Sequence, residues 1–139
     1  MARRSFLVSL LGAVVMAAGC GGPMESQELA RSVQTLESAA AEGSLLAHDV
    51  ARNRTKATFV RVHSRDLSET VDHEAEKLAD ADANGEVTRR KSEAVDLAGR
   101  ISQSLGRLQD YPGVEGQGAA AERELRSSAK RAAQISDAL

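Results

Sequence analysis

Aromatic side chains are scarce in this sequence. It has no Trp, one Tyr and two Phe among 139 residues, too few for an aromatic-lined sugar, cofactor or nucleic-acid site. It has a single cysteine, Cys20, so no disulfide can form within the chain. Its only prolines are Pro23 and Pro112, which leaves a long stretch free of helix-breaking rings. Positive charge is not in excess either. The formal net charge is −2, so nucleic acid is not an expected partner.

What is present begins with the N-terminus. Arg3 and Arg4 are followed by an apolar run without charge from Phe6 to Ala18. A membrane-crossing helix needs about 20 apolar residues, and this run falls short of that. A charged start, a short apolar middle and a small-residue end together make a secretory signal over residues 1–19. Removing it takes Arg3 and Arg4 away and shifts the net charge to −4. The chain's one cysteine stands at the expected cut.

Ala17-Ala18-Gly19-Cys20 resembles the lipobox of bacterial lipoproteins, with Ala17 where that family more often has Leu. The resemblance implies a diacylglyceryl group on Cys20, cleavage just before it, and export to a membrane-anchored position outside the cytoplasm. Two acyl chains hold a protein on a membrane where one holds it only marginally. Lipidation would also dispose of a lone thiol that otherwise invites oxidation. Arg3-Arg4-Ser5-Phe6-Leu7 is similar to the twin-arginine export motif, which implies export of a folded domain. Ala2 and Val8 depart from that motif, so the general secretory route is the expected one and the twin-arginine route the alternative. Residues 20–25 then form a lipidated cysteine and flexible tether, and residues 26–139 a helical domain.

That domain carries a helical beat. Leu29, Val33, Leu36 and Ala40 follow Ser26, a candidate N-cap, and Gly43-Ser44 interrupts the register. A second pattern runs through Leu46, Val50, Ala57, Val60, Leu67, Val71 and Leu78, a third through Val87, Ala94, Ala98, Ile101, Leu105 and Leu108. Tyr111-Pro112-Gly113 and Gly116 to Gly118 mark a loop before Ala121, Leu125, Ala132, Ile135 and Leu139. Spacings of three and four define one apolar face per helix. Thr58 to His63 alternates like a strand, but no partner strand exists, so helix is expected there. The expected fold is all-α: an antiparallel bundle of three to four helices with one long central helix. From Ser44 to Ala79 that helix would reach roughly 54 Å. So many alanines on the seams bury little area per contact, which leaves room for a homo-oligomer that completes the core.

No catalytic constellation emerges, and an enzyme is not expected. The positions three before His48, His63 and His73 are Leu45, Val60 and Thr70, not the glutamates of a di-metal bundle. Glu69, His73 and Glu76 read as a solvated acidic face. Arg52, Arg54, Lys56, Arg61 and Arg65 form a basic band with no acid before Asp66. Solvated side chains lying over an Ala-rich surface are the simplest account of it. An anionic envelope polymer, or lipid headgroups, is the functional one.

One loop is chemically specific. Asp80-Ala81-Asp82-Ala83-Asn84-Gly85-Glu86-Val87-Thr88-Arg89-Arg90-Lys91 resembles the twelve-residue calcium loop of EF-hand proteins. The resemblance implies side-chain oxygens from Asp80, Asp82 and Asn84 and a sharp turn at Gly85. It further implies the backbone carbonyl of Glu86 and a water-mediated contact from Thr88. Lys91 stands where a bidentate Glu belongs, so it would serve as an internal counter-ion to Asp80 and Asp82. The structural alternative is an interhelical turn with Asn84-Gly85 capping the preceding helix. The expected function is a membrane-anchored, non-enzymatic binding or structural module of the cell envelope, with an envelope protein or anionic polymer as partner. Calcium binding by the single loop is the alternative.

Overall fold

A computed structural model of the chain describes residues 22–139. The expected signal at 1–19, the lipidation position Cys20 and the neighbouring Gly21 lie outside the described residues. Four helices of similar length follow one another: α1 (Ser26–Ala51), α2 (Ala57–Asp80), α3 (Gly85–Asp110) and α4 (Glu115–Asp137). The all-helical bundle expected from the 3-4 spacing is what the chain forms. Thr58 to His63 lies within α2, so its β-branched alternation yields to packing.

Four- and five-residue turns make successive helices antiparallel neighbours. The bundle runs up, down, up and down. α1 packs most extensively on α4, α2 on α3, and α2 and α4 lie diagonally apart without touching. The core contains Leu29, Val33, Leu36, Val60, Leu67, Val71, Leu78, Ile101, Leu105, Leu108, Leu125 and Ile135, all buried. These are the seam residues expected from periodicity. Of the others expected on the seam, Ala57 is exposed at the start of α2, and Val87 and Leu139 are only partly buried against the core.

The long central helix is not formed, and the break falls elsewhere than expected. Gly43-Ser44 sits inside α1, where both residues are buried. A Cβ on Gly43 would stand 2.9 Å from Leu105 Cδ2 and 3.2 Å from Leu125 Cδ1. Its glycine serves a close approach of helices, and that packing overrides a helix penalty of about 1 kcal/mol. The chain turns instead at Arg52–Lys56. Asn53 adopts a left-handed φ of 52°, a conformation that Asn tolerates better than most residues. Asn53 N donates to Val50 O at 3.1 Å and Arg54 N to Asp49 O at 2.8 Å. That pair of bonds is the Schellman closure of a helix C-terminus, with Asn in the place usually held by Gly.

Two further expectations are corrected. Glu25 rather than Ser26 is the N-cap of α1, and it makes no side-chain cap bond. Gly116 and Gly118 belong to the first turns of α4 rather than to a loop. Gly118 lies where α1 and α4 cross. A Cβ there would meet Ala51 N at 2.7 Å and Ala47 O at 3.0 Å. Only a glycine lets the two backbones come this close.

The turns sort to two ends. At one end, the N-terminal tail meets the turn between α2 and α3: Met24 is buried, and its N–H donates to Asp82 O at 2.7 Å. At the other end lie the Arg52–Lys56 turn and the Tyr111–Val114 turn. Gln109 Nε2 bridges to Ser64 O at that end, joining α3 to α2. A helix of 26 residues separates the two ends by about 39 Å.

Candidate functional site

The loop from Asp80 to Lys91 is not open. α2 closes at Asp80 with Ala81 as its C-cap, and α3 already begins at Gly85. Gly85 has a φ of 55° and so makes the sharp turn expected of it, but at the start of α3 rather than as the cap of α2. Helix from Gly85 onward engages the Glu86 carbonyl in an intrahelical bond, where the calcium pattern needs it free. The Glu86 carboxylate turns to Arg89 and Arg90, bonding Arg90 Nε at 3.1 Å. The Arg89 guanidinium, with Arg90 beside it, holds the Glu86 carboxyl below the usual carboxylate range. Lys91 Nζ donates to Ala81 O at 2.6 Å. It therefore caps a carbonyl at the end of α2 instead of neutralising Asp80 and Asp82. Asp80, Asp82, Asn84 and Thr88 are exposed. Among the described residues, no three of His, Cys, Asp and Glu come together closely enough to hold a metal ion. A calcium ion needs six to eight oxygens, and these positions do not fit it.

The histidines are spoken for separately. His48 Nδ1 lies 3.1 Å from Glu122 Oε1, and His63 Nε2 lies 2.8 Å from Glu42 Oε1. His48, together with Arg126, lowers the Glu122 carboxyl from its ordinary value. His73 is exposed, as are Glu69 and Glu76. That is the solvated face expected of them.

Between α3 and α4 runs a polar groove of about 300 Å³, whose walls include Arg100, Ser104, Arg107, Glu124, Ser128 and Arg131. It exists because small polar residues occupy a seam that larger apolar ones would close. Its charges are mostly engaged. Arg107 pairs with Glu124 at 3.1 Å and Arg131 with Glu93 at 3.1 Å. Ser104 Oγ donates to Glu124 Oε2 at 2.8 Å, which with Arg107 lowers the Glu124 carboxyl.

The Arg52–Lys56 end is different in kind. Arg52, Arg54, Lys56, Arg61 and Arg65 are all exposed, and among the described residues none of them lies within 4.0 Å of a carboxylate. The sequence marked these cations, but it placed them in the middle of a long helix. They surround a helix break instead. Lys56 is the N-cap of α2, whose first turn has no acid, so it adds to the positive end of the helix dipole. Such a placement is disfavoured by roughly 0.3 to 1 kcal/mol. Among the described residues, the large apolar side chains most exposed to solvent are Leu45 (70%), Phe59 (57%), Val62 (54%), Tyr111 (49%) and Val114 (48%). All five lie within about two helical turns of this same end. Phe59 stacks on His63 with ring centroids 5.4 Å apart. Sequence reasoning missed this gathering, because it follows from the turn at Asn53 and from how α3 and α4 return. The end so formed carries these cations and apolar residues together with the exposed acids Asp66, Asp110 and Glu115, and lies away from the N-terminal tail.

The chain matches no protein-family model, no curated protein and no solved structure.

Proposed function

We propose that the protein is an exported, lipid-anchored and non-enzymatic helical module of the cell envelope, held to its membrane through Cys20. The reading rests on the signal and lipobox pattern of residues 1–20. One structural observation carries it further: the chain enters the bundle at one end, where Met24 is buried and its N–H is bonded to Asp82 O. A lipid on Cys20 is thus four residues from a fixed point of the domain. The exposed apolar and basic residues lie at the opposite end. This layout suits a module that is anchored at its base and presents a surface at its tip. No helix among the described residues is long and apolar enough to cross a membrane.

An intact-mass spectrum of the mature protein tests the anchor. The expected mass is that of a chain beginning at Cys20 with a diacylglyceryl addition, and Cys20→Ser is expected to leave the precursor uncut or the protein free of the membrane. A mature chain with an unmodified Cys20 thiol overturns the reading.

A further inference from the structure

We infer that the groove between α3 and α4 binds a small oxyanion, a carboxylate or phosphate group carried on a polar molecule. Arg100 is its charge partner and Ser128 a hydrogen-bond donor on its floor. The site would exist whether or not Cys20 carries a lipid.

An ion pair crosses between the helices toward each end of the groove. Arg131 Nη2 lies 3.1 Å from Glu93 Oε2, and Arg107 Nη1 lies 3.1 Å from Glu124 Oε1. Both acids are engaged further. Glu124 Oε2 accepts from Ser104 Oγ at 2.8 Å, and Glu93 also pairs with Arg89 and Arg90. Arg100 lines the groove as well. In the antiparallel register that the two pairs set, it falls between them, across from Ser127 and Ser128. Among the described residues, no carboxylate lies within 4.0 Å of Arg100. Neither Arg100 nor Ser128 makes a side-chain hydrogen bond there.

Ser128 is the second, independent observation. It is only 7% exposed. A buried serine on a helix can satisfy itself by donating to the carbonyl one turn back, as Ser64 does to Val60 O at 2.6 Å. Ser128 does not do so. Its hydroxyl lines the groove without being sealed into the core, so it is open to a guest.

Charge decides the class of guest. Three guanidiniums line the groove against one carboxylate, Glu124. Ser104, with Arg107, holds that carboxyl below its ordinary range, so it stays ionised and paired. Beyond the lining stand Glu93, already paired, and Asp96, exposed one turn before Arg100. Arg123 adds positive charge near Glu124. With both cross-helix pairs closed, Arg100 is the lining guanidinium left without an acid. Its fork takes two oxygens of a carboxylate or phosphate together, and the Ser128 hydroxyl can donate to one of them. A cationic guest would meet three arginines, and an apolar one would find only Leu97. A volume of about 300 Å³ is at the low end for small-molecule clefts, so the guest is small.

Amide NMR of the full chain, titrated with gluconate and with glycerol 3-phosphate, provides the test. Sorbitol and glycerol are the neutral counterparts. The expected result is saturable shifts within residues 97–107 and 124–131 with at least one of the two anions, at a Kd of about 1 mM or tighter. The neutral polyols should produce none. Arg100→Gln should weaken binding at least roughly tenfold, and Ser128→Ala roughly fivefold. Arg100→Lys keeps the charge without the fork and should fall between Arg100→Gln and the natural chain. Arg54→Gln removes an exposed cation at the Arg52–Lys56 turn and should change nothing.

Binding of gluconate alone assigns a carboxylate, and binding of glycerol 3-phosphate alone a phosphate; either outcome upholds the site. Absence of saturation with both anions at about ten times that Kd overturns it. So does equal binding of the neutral polyols, or shifts that centre outside α3 and α4. Equal weakening by Arg100→Gln and Arg54→Gln would show a general attraction of anions to positive charge, and would also overturn it.

Discussion

The two ends of the bundle use the same kinds of side chain for opposite purposes. At the base, a lysine and a methionine are drawn inward: Lys91 donates to Ala81 O and Met24 is buried. At the tip, Lys56 and four arginines stand unpaired, and a Phe, a Val and a Leu remain in water. Within a turn of the same end of α3, Arg107 does find an acid, Glu124, and farther down Arg131 pairs with Glu93. Charge and apolar area are therefore not satisfied evenly. The base commits these groups to the fold, and the tip leaves their counterparts exposed. Physically, a group that contributes to the fold costs stability when removed, and a group held for presentation does not.

The largest test of this contrast lies just inside the tip, where exposure ends and close packing begins. Gly118→Ala puts a methyl within 2.7 Å of Ala51 N and 2.8 Å of Val50 Cγ1. The nearest of these is backbone, which cannot swing aside, so α1 and α4 must part. Overpacking of this kind costs about 2 to 3 kcal/mol, a fall of roughly 10 °C in Tm by calorimetry. Gly43→Ala is the control. Its new methyl meets the ends of Leu105 and Leu125, which can turn, and the helix gains about 1 kcal/mol in propensity. Its net effect should stay below about 1 kcal/mol in either direction. Equal losses in the two variants would show that the α1–α4 approach at Gly118 is not special.

A smaller effect is expected at the base. Lys91→Met keeps the aliphatic stem but removes the donor to Ala81 O. Losing one charge-assisted bond in a half-buried setting should cost about 1 kcal/mol, read as a lower urea midpoint at unchanged slope. Lys91→Glu should cost at least as much. It should also gain no calcium-dependent rise in Tm, because α3 begins at Gly85 and leaves no open cage for the new carboxylate. A calcium-dependent rise in Lys91→Glu would mean that the first turns of α3 unwind to form the calcium loop, and would restore the ion-binding account of residues 80–91.

How much of this was legible in the sequence depends on the range of the interaction involved. The buried seam was legible, since spacings of three and four are local: Leu29, Val33, Leu36, Ile101, Leu105 and Leu125 are where periodicity puts them. The helix break was not. Val50 and Ala57 are seven residues apart and keep the beat across a turn, while Gly43 offers the stronger local signal for a stop. Only the neighbouring α3 and α4, through Leu105 and Leu125, explain why Gly43 is helical, so that the stop falls to Asn53 instead. The loop at 80–91 was legible as residue types and misleading as geometry. Lys91 was correctly marked as the odd member, but its partner is a backbone carbonyl, which no spacing of side chains reveals. The tip was least legible. Its cations are adjacent in sequence, yet Tyr111 and Val114 join them only because the bundle returns α3 and α4 to the same end.

The smallest expected effect belongs to the tip surface itself. Phe59 and Val62 lie on the first turns of α2, more than half exposed, so little area leaves the core when they are cut back. Phe, Val and Ser have similar helix propensities, which leaves α2 with no reason to loosen. Truncation takes away the stack of Phe59 on His63, but His63 keeps Glu42 at 2.8 Å. Phe59→Ser with Val62→Ser should therefore move unfolding stability by no more than about 0.5 kcal/mol, measured by urea titration beside Lys91→Met. A loss above about 1 kcal/mol would mean that these side chains brace the α1–α2 corner, and the tip would then be part of the fold rather than a surface held out from it.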